Sequence, residues 1–339
     1  GLDLNRPISG SITSLTSLER WKESGFQVDE NTNLQVLVAE TEGITGDGKK
    51  TCTLQQKGDN YEEVEIEKSN TLINQIKKNN NIINATPTLN TTSQNSGDQS
   101  GLYASSDTST GNVTYYFRGN VTNNNVKFAN MNWKIVRINE DQTIRLVLDG
   151  TITKNTSQSS QTNKNYLDMY YSNSSKIKPI VDEWYKANIK DKGYESYVAT
   201  STFCEQAKVK FSTTSTGGSA NMEVYTAYNP TFKCQNDANG KGILNSKVGL
   251  MTYDEVVFAG GYPFLTNSSY YLNNIKCFWT MTPAGFDGSV SLGWLYYNGG
   301  LVNDYYIYFN SSLRPVINII DYTVTGSGTT TDPYKLKTN

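Results

Sequence analysis

The four cysteines are the residues best suited to covalent chemistry, and their spacing argues against most of it. Cys52, Cys204, Cys234 and Cys277 form no C-x-x-C pair, so the spacing of a thioredoxin-like redox site or a zinc ribbon is absent. Cys204 and Cys234 flank a Gly/Ser/Thr-rich stretch at 212–219. A disulfide closing that long loop is the expected role, and it implies an oxidising, extracytoplasmic compartment. Cys52 and Cys277 fit either a second bridge or two buried free thiols.

The 339 residues include no histidine, which removes a Ser-His-Asp triad, a Cys-His pair, an imidazole proton shuttle and any His-ligated metal. Asp254 and Glu255 sit together like a catalytic carboxylate pair. Yet the run from Thr252 to Glu255 is a capping-box pattern, with Thr252 as N-cap and Glu255 reaching back, so cap and dipole account for both acids. Arg314, before Pro315, is expected to be a structural cation bonding loop carbonyls or a buried carboxylate. No catalytic residue, metal ligand or cofactor is assigned.

Charge narrows the partners. With 30 Lys+Arg against 32 Asp+Glu the net charge is −2, too balanced to gather nucleic acid, which needs Lys and Arg concentrated on one face. Tyrosine, at 23 residues, and asparagine are frequent. Together they make adaptable contact surfaces, and an AT-rich codon bias produces the same mixture; both readings hold together.

Certain elements must position these groups. Ile12, Leu15, Leu18 and Trp21 fall at helical spacing within 11–25, and 35–39, 51–54 and 64–66 read as short strands. A polar helix is expected over 70–83, then a Ser/Thr/Asn-rich linker to Gly101. Beyond it the chain turns strand-rich, at 113–118, 133–138 and 143–148, the last two joined as a hairpin through 139–142. A helix over 177–188 carries Pro179 near its first turn, and another runs from Thr252 to the Gly260-Gly261 stop. The C-terminal third alternates strands and glycine turns, with Asn298-Gly299 a strong hairpin signal. No segment approaches the roughly 20 apolar residues of a membrane span, and Gly1 does not begin a signal peptide, as expected of a mature or trimmed ectodomain.

The runs GNVTNNNVKFANMNWKIVRINEDQTIRLVLDG (119–150), KVGLMTYDEVVFAGG (247–261), FWTMTPAGFDG (278–288) and SSLRPVINI (311–319) resemble C-type-lectin-fold surface proteins of gut bacteria and their phages. These are related in fold to formylglycine-generating enzymes and to the variable proteins of diversity-generating retroelements. The resemblance covers about 101–322. It implies a C-type lectin fold, with a twisted antiparallel sheet, two flanking helices and long loops; with the small α+β module read from the N-terminal helix and strands, the fold class is α+β. The corresponding boundaries are 1–69 for the module, 70–100 for helix and linker, 101–325 for the ligand-binding domain and 326–339 for a tail.

In variable members the ligand surface lies just before the terminal Arg-Pro-Val strand. Transferred to this sequence, it comprises Ser289, Ser291, Trp294, Tyr296, Tyr297 and Asn298. Asn303, Asp304, Tyr305, Tyr306, Tyr308 and Asn310 complete it. The chain departs from its enzymatic relatives, which use paired C-terminal cysteines, because only Cys277 follows Cys234. It also lacks the carboxylate-rich calcium triplets of ordinary lectins, of which Asn303-Asp304 is the only echo.

The expected function is therefore an extracellular ligand-binding or adhesion protein, in its most specific form a retroelement-diversified receptor. It would perform no chemistry and would use no cofactor. The partner would be a protein or glycan on another cell or on a phage host. The location would be extracellular, on the bacterial surface or on a virion. The alternatives are a structural pilus or surface-layer subunit and a formylglycine-generating-type oxidase.

Overall fold

The chain is mixed α+β, mostly sheet with few helices, in a computed structural model. The described residues are 35–39, 49–57, 60–65, 70–87, 89, 99–152, 177–204, 210–211, 222–223, 230–234, 243–286, 291–306 and 311–336. They fall into two compact units, Gly1–Asn70 and Thr71–Asn339. In the first, β1 (Gln35–Ala39), β2 (Lys49–Lys57) and β3 (Asn60–Glu65) form an antiparallel sheet in chain order. The helix expected over 11–25 lies outside the described residues.

The second unit is built on a large sheet whose strands come from both ends of the unit. In chain order these are β4 (Ile82–Ile83), β5 (Gly101–Ser105), β6 (Thr114–Arg118), β7 (Asn125–Phe128), β8 (Met131–Ile138) and β9 (Ile144–Leu148). The following strands are β10 (Ser201–Cys204), β11 (Lys210–Phe211), β12 (Met222–Glu223), β13 (Ile243–Ser246), β14 (Val248–Gly249) and β15 (Tyr262–Pro263). The last six are β16 (Cys277–Phe286), β17 (Ser291–Tyr297), β18 (Gly300–Tyr306), β19 (Val316–Ile319), β20 (Val324–Thr325) and β21 (Tyr334–Leu336). The large sheet runs β14-β19-β9-β8-β6-β5-β4, and β8 also carries β7, which carries β21 and then β20. A second sheet has the order β15-β18-β17-β16.

The expected β8–β9 hairpin closes at 139–143, where Asn139 N donates to Thr143 O at 2.8 Å and Gln142 takes a φ of 64°. A bulge between Ile135 and Arg137 adds a residue to β8, and Ile135, Val136 and Ile138 are all buried. β9 is buried along its whole length, as befits a central strand covered on both faces.

Among the described residues, three α-helices pack on this unit. In α1 (Leu72–Asn79) the N-cap Thr71 accepts from Asn74 N, and Leu72, Ile73 and Ile76 are buried. α2 (Ile177–Tyr185) continues as a π-helical turn, Lys186–Lys190, and Ile177, Val181, Tyr185 and Ile189 form its buried stripe at four-residue spacing. Trp184 of α2 meets buried Trp133 edge-on, with ring centroids 6.1 Å apart. α3 (Tyr253–Ala259) has the expected capping box and ends at Gly260, φ 121°.

The polar helix expected over 70–83 stops at Asn79 and gives way to strand β4 at Ile82–Ile83, and part of the expected tail also joins the sheet. Within 70–100, α1 joins the core through Leu72 N to Tyr322 O (2.7 Å) and Ile73 N to Asp321 Oδ1 (3.0 Å), and β4 pairs in parallel with β5. Within 326–339, β21 pairs in parallel with β7 and buries Tyr334. The physical reason is edge satisfaction: β5 and β7 present backbone donors and acceptors that two or three paired residues can meet. Such short strands leave no periodicity in a polar sequence.

Candidate functional site

The second sheet ends in a tight hairpin. Tyr297 pairs with Gly300, leaving Asn298 (φ 46°) and Gly299 (φ 92°) as a two-residue turn with both φ angles positive, the type I′ geometry that asparagine-glycine favours. A Cβ on Gly299 would lie 2.3 Å from Asn267 O, and one on Gly300 2.4 Å from Leu265 O. Glycine is required at both positions because the 264–269 loop runs directly against the hairpin backbone.

Backbone hydrogen bonds tie this tip together. Phe264 N donates to Leu301 O (2.8 Å), Asn267 N to Gly299 O (3.1 Å) and Asn298 N to Lys276 O (2.8 Å). Side chains brace it further: Asn267 Nδ2 donates to Gly260 O (2.7 Å) and Asn273 Nδ2 to Ser268 O (3.0 Å). The tip exposes Tyr297 (43%) and Phe264 (58%), together with Asn298, Thr266 and Ser268. Phe264 holds a φ of 60°, a left-handed conformation uncommon for a bulky residue.

Beneath the tip the packing is aromatic and closed. Tyr296 is fully buried, stacked on Phe278 with centroids 4.5 Å apart, and its hydroxyl donates to Asn273 Oδ1 at 2.9 Å. Tyr296 therefore departs from the expected ligand set, because its ring belongs to the core. Burial pushes its phenol up from the ordinary value and pushes that of neighbouring Tyr270 well up. Arg314 is completely buried. Its guanidinium donates to Leu148 O (2.7 Å), Leu272 O (3.3 Å) and Asn274 Oδ1 (3.1 Å). Burial lowers its pKa to about 10, with Asp149 opposing. It is the structural cation that its position before Pro315 suggested.

Of the other expected contact residues, Ser291 and Trp294 lie on β17, and Asn303, Asp304, Tyr305 and Tyr306 on β18. Gly293 is opposite Tyr305 and Leu292 opposite Tyr306. The side chains of those six residues, and Ser289, Tyr308 and Asn310 altogether, lie outside the described residues. Phe264 was missed: the Gly260-Gly261 pair read only as a helix stop, although an aromatic two residues beyond Tyr262 was a usable signal.

A second polar centre lies at the N-terminus of α3. Glu255 Oε1 sits 2.6 Å from Arg145 Nε and 3.4 Å from Arg137 Nε, while Glu255 Oε2 accepts from Thr252 N at 3.1 Å. Arg137 lies over the Phe232 ring (4.9 Å) and Arg145 over Phe203 (4.3 Å). Neighbouring Asp254 Oδ1 accepts from Thr231 N at 3.0 Å. The Cys204–Cys234 disulfide forms, with Cα atoms 5.3 Å apart. A recess lined by Arg137, Arg145, Thr202, Cys204, Thr231 and Glu255 has room for about one water. Asp254 and Glu255 are thus committed to cap, backbone and guanidinium partners.

Cys277 is a free thiol, and the side chain of Cys52 lies outside the described residues. Its Sγ lies 2.9 Å from Ser311 Oγ, and burial raises its pKa against that hydrogen bond. Among the described residues no cluster of three or more Cys, Asp or Glu could hold a metal ion, and no helix is long and apolar enough to cross a membrane. No family model, curated protein or solved structure matches the chain.

Proposed function

We propose that this chain is an extracellular binding protein whose second unit has a C-type lectin fold and presents the β17–β18 hairpin to a protein or glycan on another cell surface. The observation that carries the reading is the tip itself. Tyr297 and Phe264 stand out into solvent on backbone that Gly299, Gly300 and Asn267 hold rigidly. Exposed aromatic rings flanked by amides and hydroxyls are the chemistry of recognition hot spots, and a preformed platform lowers the ordering cost of binding. The disulfide is compatible with an extracytoplasmic site of action. Binding would proceed by shape, aromatic contact and hydrogen bonds, with no catalysis.

The test is direct binding of the labelled full chain to intact bacterial cells and to an immobilised glycan panel. Phe264→Ala with Tyr297→Ala should lower the bound signal at least about tenfold, the loss of roughly 1.4 kcal/mol, with the melting temperature unchanged. Equal binding by the double variant would overturn the assignment of the tip. Light scattering on the unliganded chain separates the readings, since polymers formed without ligand would favour a surface-layer or pilus subunit. A template copy of the 286–312 codons beside a reverse transcriptase, differing only at adenines, would support diversification of the same hairpin.

A further inference from the structure

Lys134 and Asn125 stand directly opposite each other on β8 and β7. Lys134 Nζ lies 2.5 Å from Asn125 Oδ1. Asn125 is buried and Lys134 half-buried. The asparagine carboxamide is held by its nitrogen, since Asn125 Nδ2 donates to Thr122 O (2.9 Å) and Gly328 O (2.8 Å). That leaves its carbonyl turned to the lysine.

A third group completes the arrangement. Asp149, just past β9, places Oδ2 3.8 Å from Lys134 Nζ. Its other oxygen accepts from Asn274 Nδ2 and lies 3.8 Å from Arg314 Nη2, and its backbone N donates to Asn132 O at 2.9 Å. The carboxylate is therefore fixed beside the amine. Burial pushes the Lys134 ammonium below its ordinary pKa, Asp149 opposes this, and Arg314 adds to the lowering.

An amine, an amide carbonyl and a carboxylate held together in a half-buried site are the components of an aminolysis. We propose that Lys134 and Asn125 become joined by an isopeptide bond within the folded chain, with Asp149 as the proton carrier. Asp149 takes a proton from the Lys134 ammonium, and the freed Nζ lone pair attacks Asn125 Cγ. The Nζ–Cγ bond forms and the Cγ–Nδ2 bond breaks. Protons that leave Nζ reach Nδ2, partly through Asp149, and the leaving group departs as ammonium, carrying away the lysine's positive charge. No oxidant or cofactor enters the balance.

The experiment is intact-mass measurement and tryptic mapping of the purified full chain. The expected mass is that of the sequence with its disulfide, less one ammonia. The digest should contain 119–127 joined to 128–137, with no cut after Lys134. Lys134→Arg should restore the full mass in a chain whose circular dichroism is unchanged. Asp149→Asn should slow joining by at least about a hundredfold. A folded native chain at the mass of the sequence with its disulfide, with no ammonia lost, would overturn the proposal. So would an ammonia loss confined to peptide 119–127 with Lys134 still cleaved, which is the signature of an asparagine succinimide.

Discussion

Glu255→Gln isolates the electrostatic part of the polar centre under α3. The amide keeps a carbonyl that can accept from Thr252 N, so the capping box survives, while the negative charge between Arg145 and Arg137 disappears. Both guanidinium groups are nearly buried, with 2% and 11% of the side chain exposed, and a single water in the adjoining recess cannot replace the charge of the lost carboxylate. Breaking a buried pair by removing one partner costs about 3–5 kcal/mol. The retained hydrogen bond and the ring faces of Phe203 and Phe232 favour the lower end, about 3 kcal/mol. With a urea slope of about 2 kcal/mol/M, the midpoint should fall by roughly 1.5 M. Near-ultraviolet circular dichroism, which reports buried Trp133 and Trp279, would follow the transition. Glu255→Ala should cost about 1 kcal/mol more by losing half the capping box. A Glu255→Gln chain within about 0.5 kcal/mol of the parent, the ordinary scatter of surface substitutions, would refute the view that this carboxylate holds two buried cations.

Three further outcomes are expected. Replacing Cys204 and Cys234 together by serine should destabilise the second unit by about 3–4 kcal/mol, the loop-closure value for a separation of 30 residues, measured by chemical denaturation. Tyr296→Ala should cost about 3–5 kcal/mol as a core truncation, whereas Tyr297→Ala, next in sequence but exposed, should cost less than about 0.5 kcal/mol; thermal melts of the two variants check the contrast. Cys277 should react slowly with a thiol reagent at neutral pH, and its rate should still climb above about pH 9, where an ordinary thiol of pKa near 8.5 has levelled off.

The sequence revealed features whose cause is local and missed those whose cause is a distant partner. The capping box at Thr252–Glu255, the Asn298-Gly299 turn and the β8–β9 hairpin each follow from two to four neighbouring residues, and each was legible. So was the Cys204–Cys234 loop, because its flanking composition marked it. Tyr296 was misjudged since strand alternation alone does not say which face of β17 is covered, and the decision rests with Phe278 and Asn273. Glu255 read as a cap because its other partners, Arg137 and Arg145, lie more than 100 residues earlier. The exposed ring of Phe264 depends on a left-handed backbone that only the packing of 264–269 against β18 imposes. Short edge strands such as β4 and β21 escaped because two or three residues carry no period.

The parallel pairing of β21 with β7 joins residues separated by about two hundred positions, and β19 likewise reaches back to β9. During synthesis β7 therefore waits, one edge open, until Leu336 has left the ribosome. Contacts of such long separation form slowly, and unpaired edges invite mispairing in the interval. The second unit is consequently built to mature only once Leu336 has been made rather than piece by piece, so a chaperone handling it earlier would encounter an unfinished sheet.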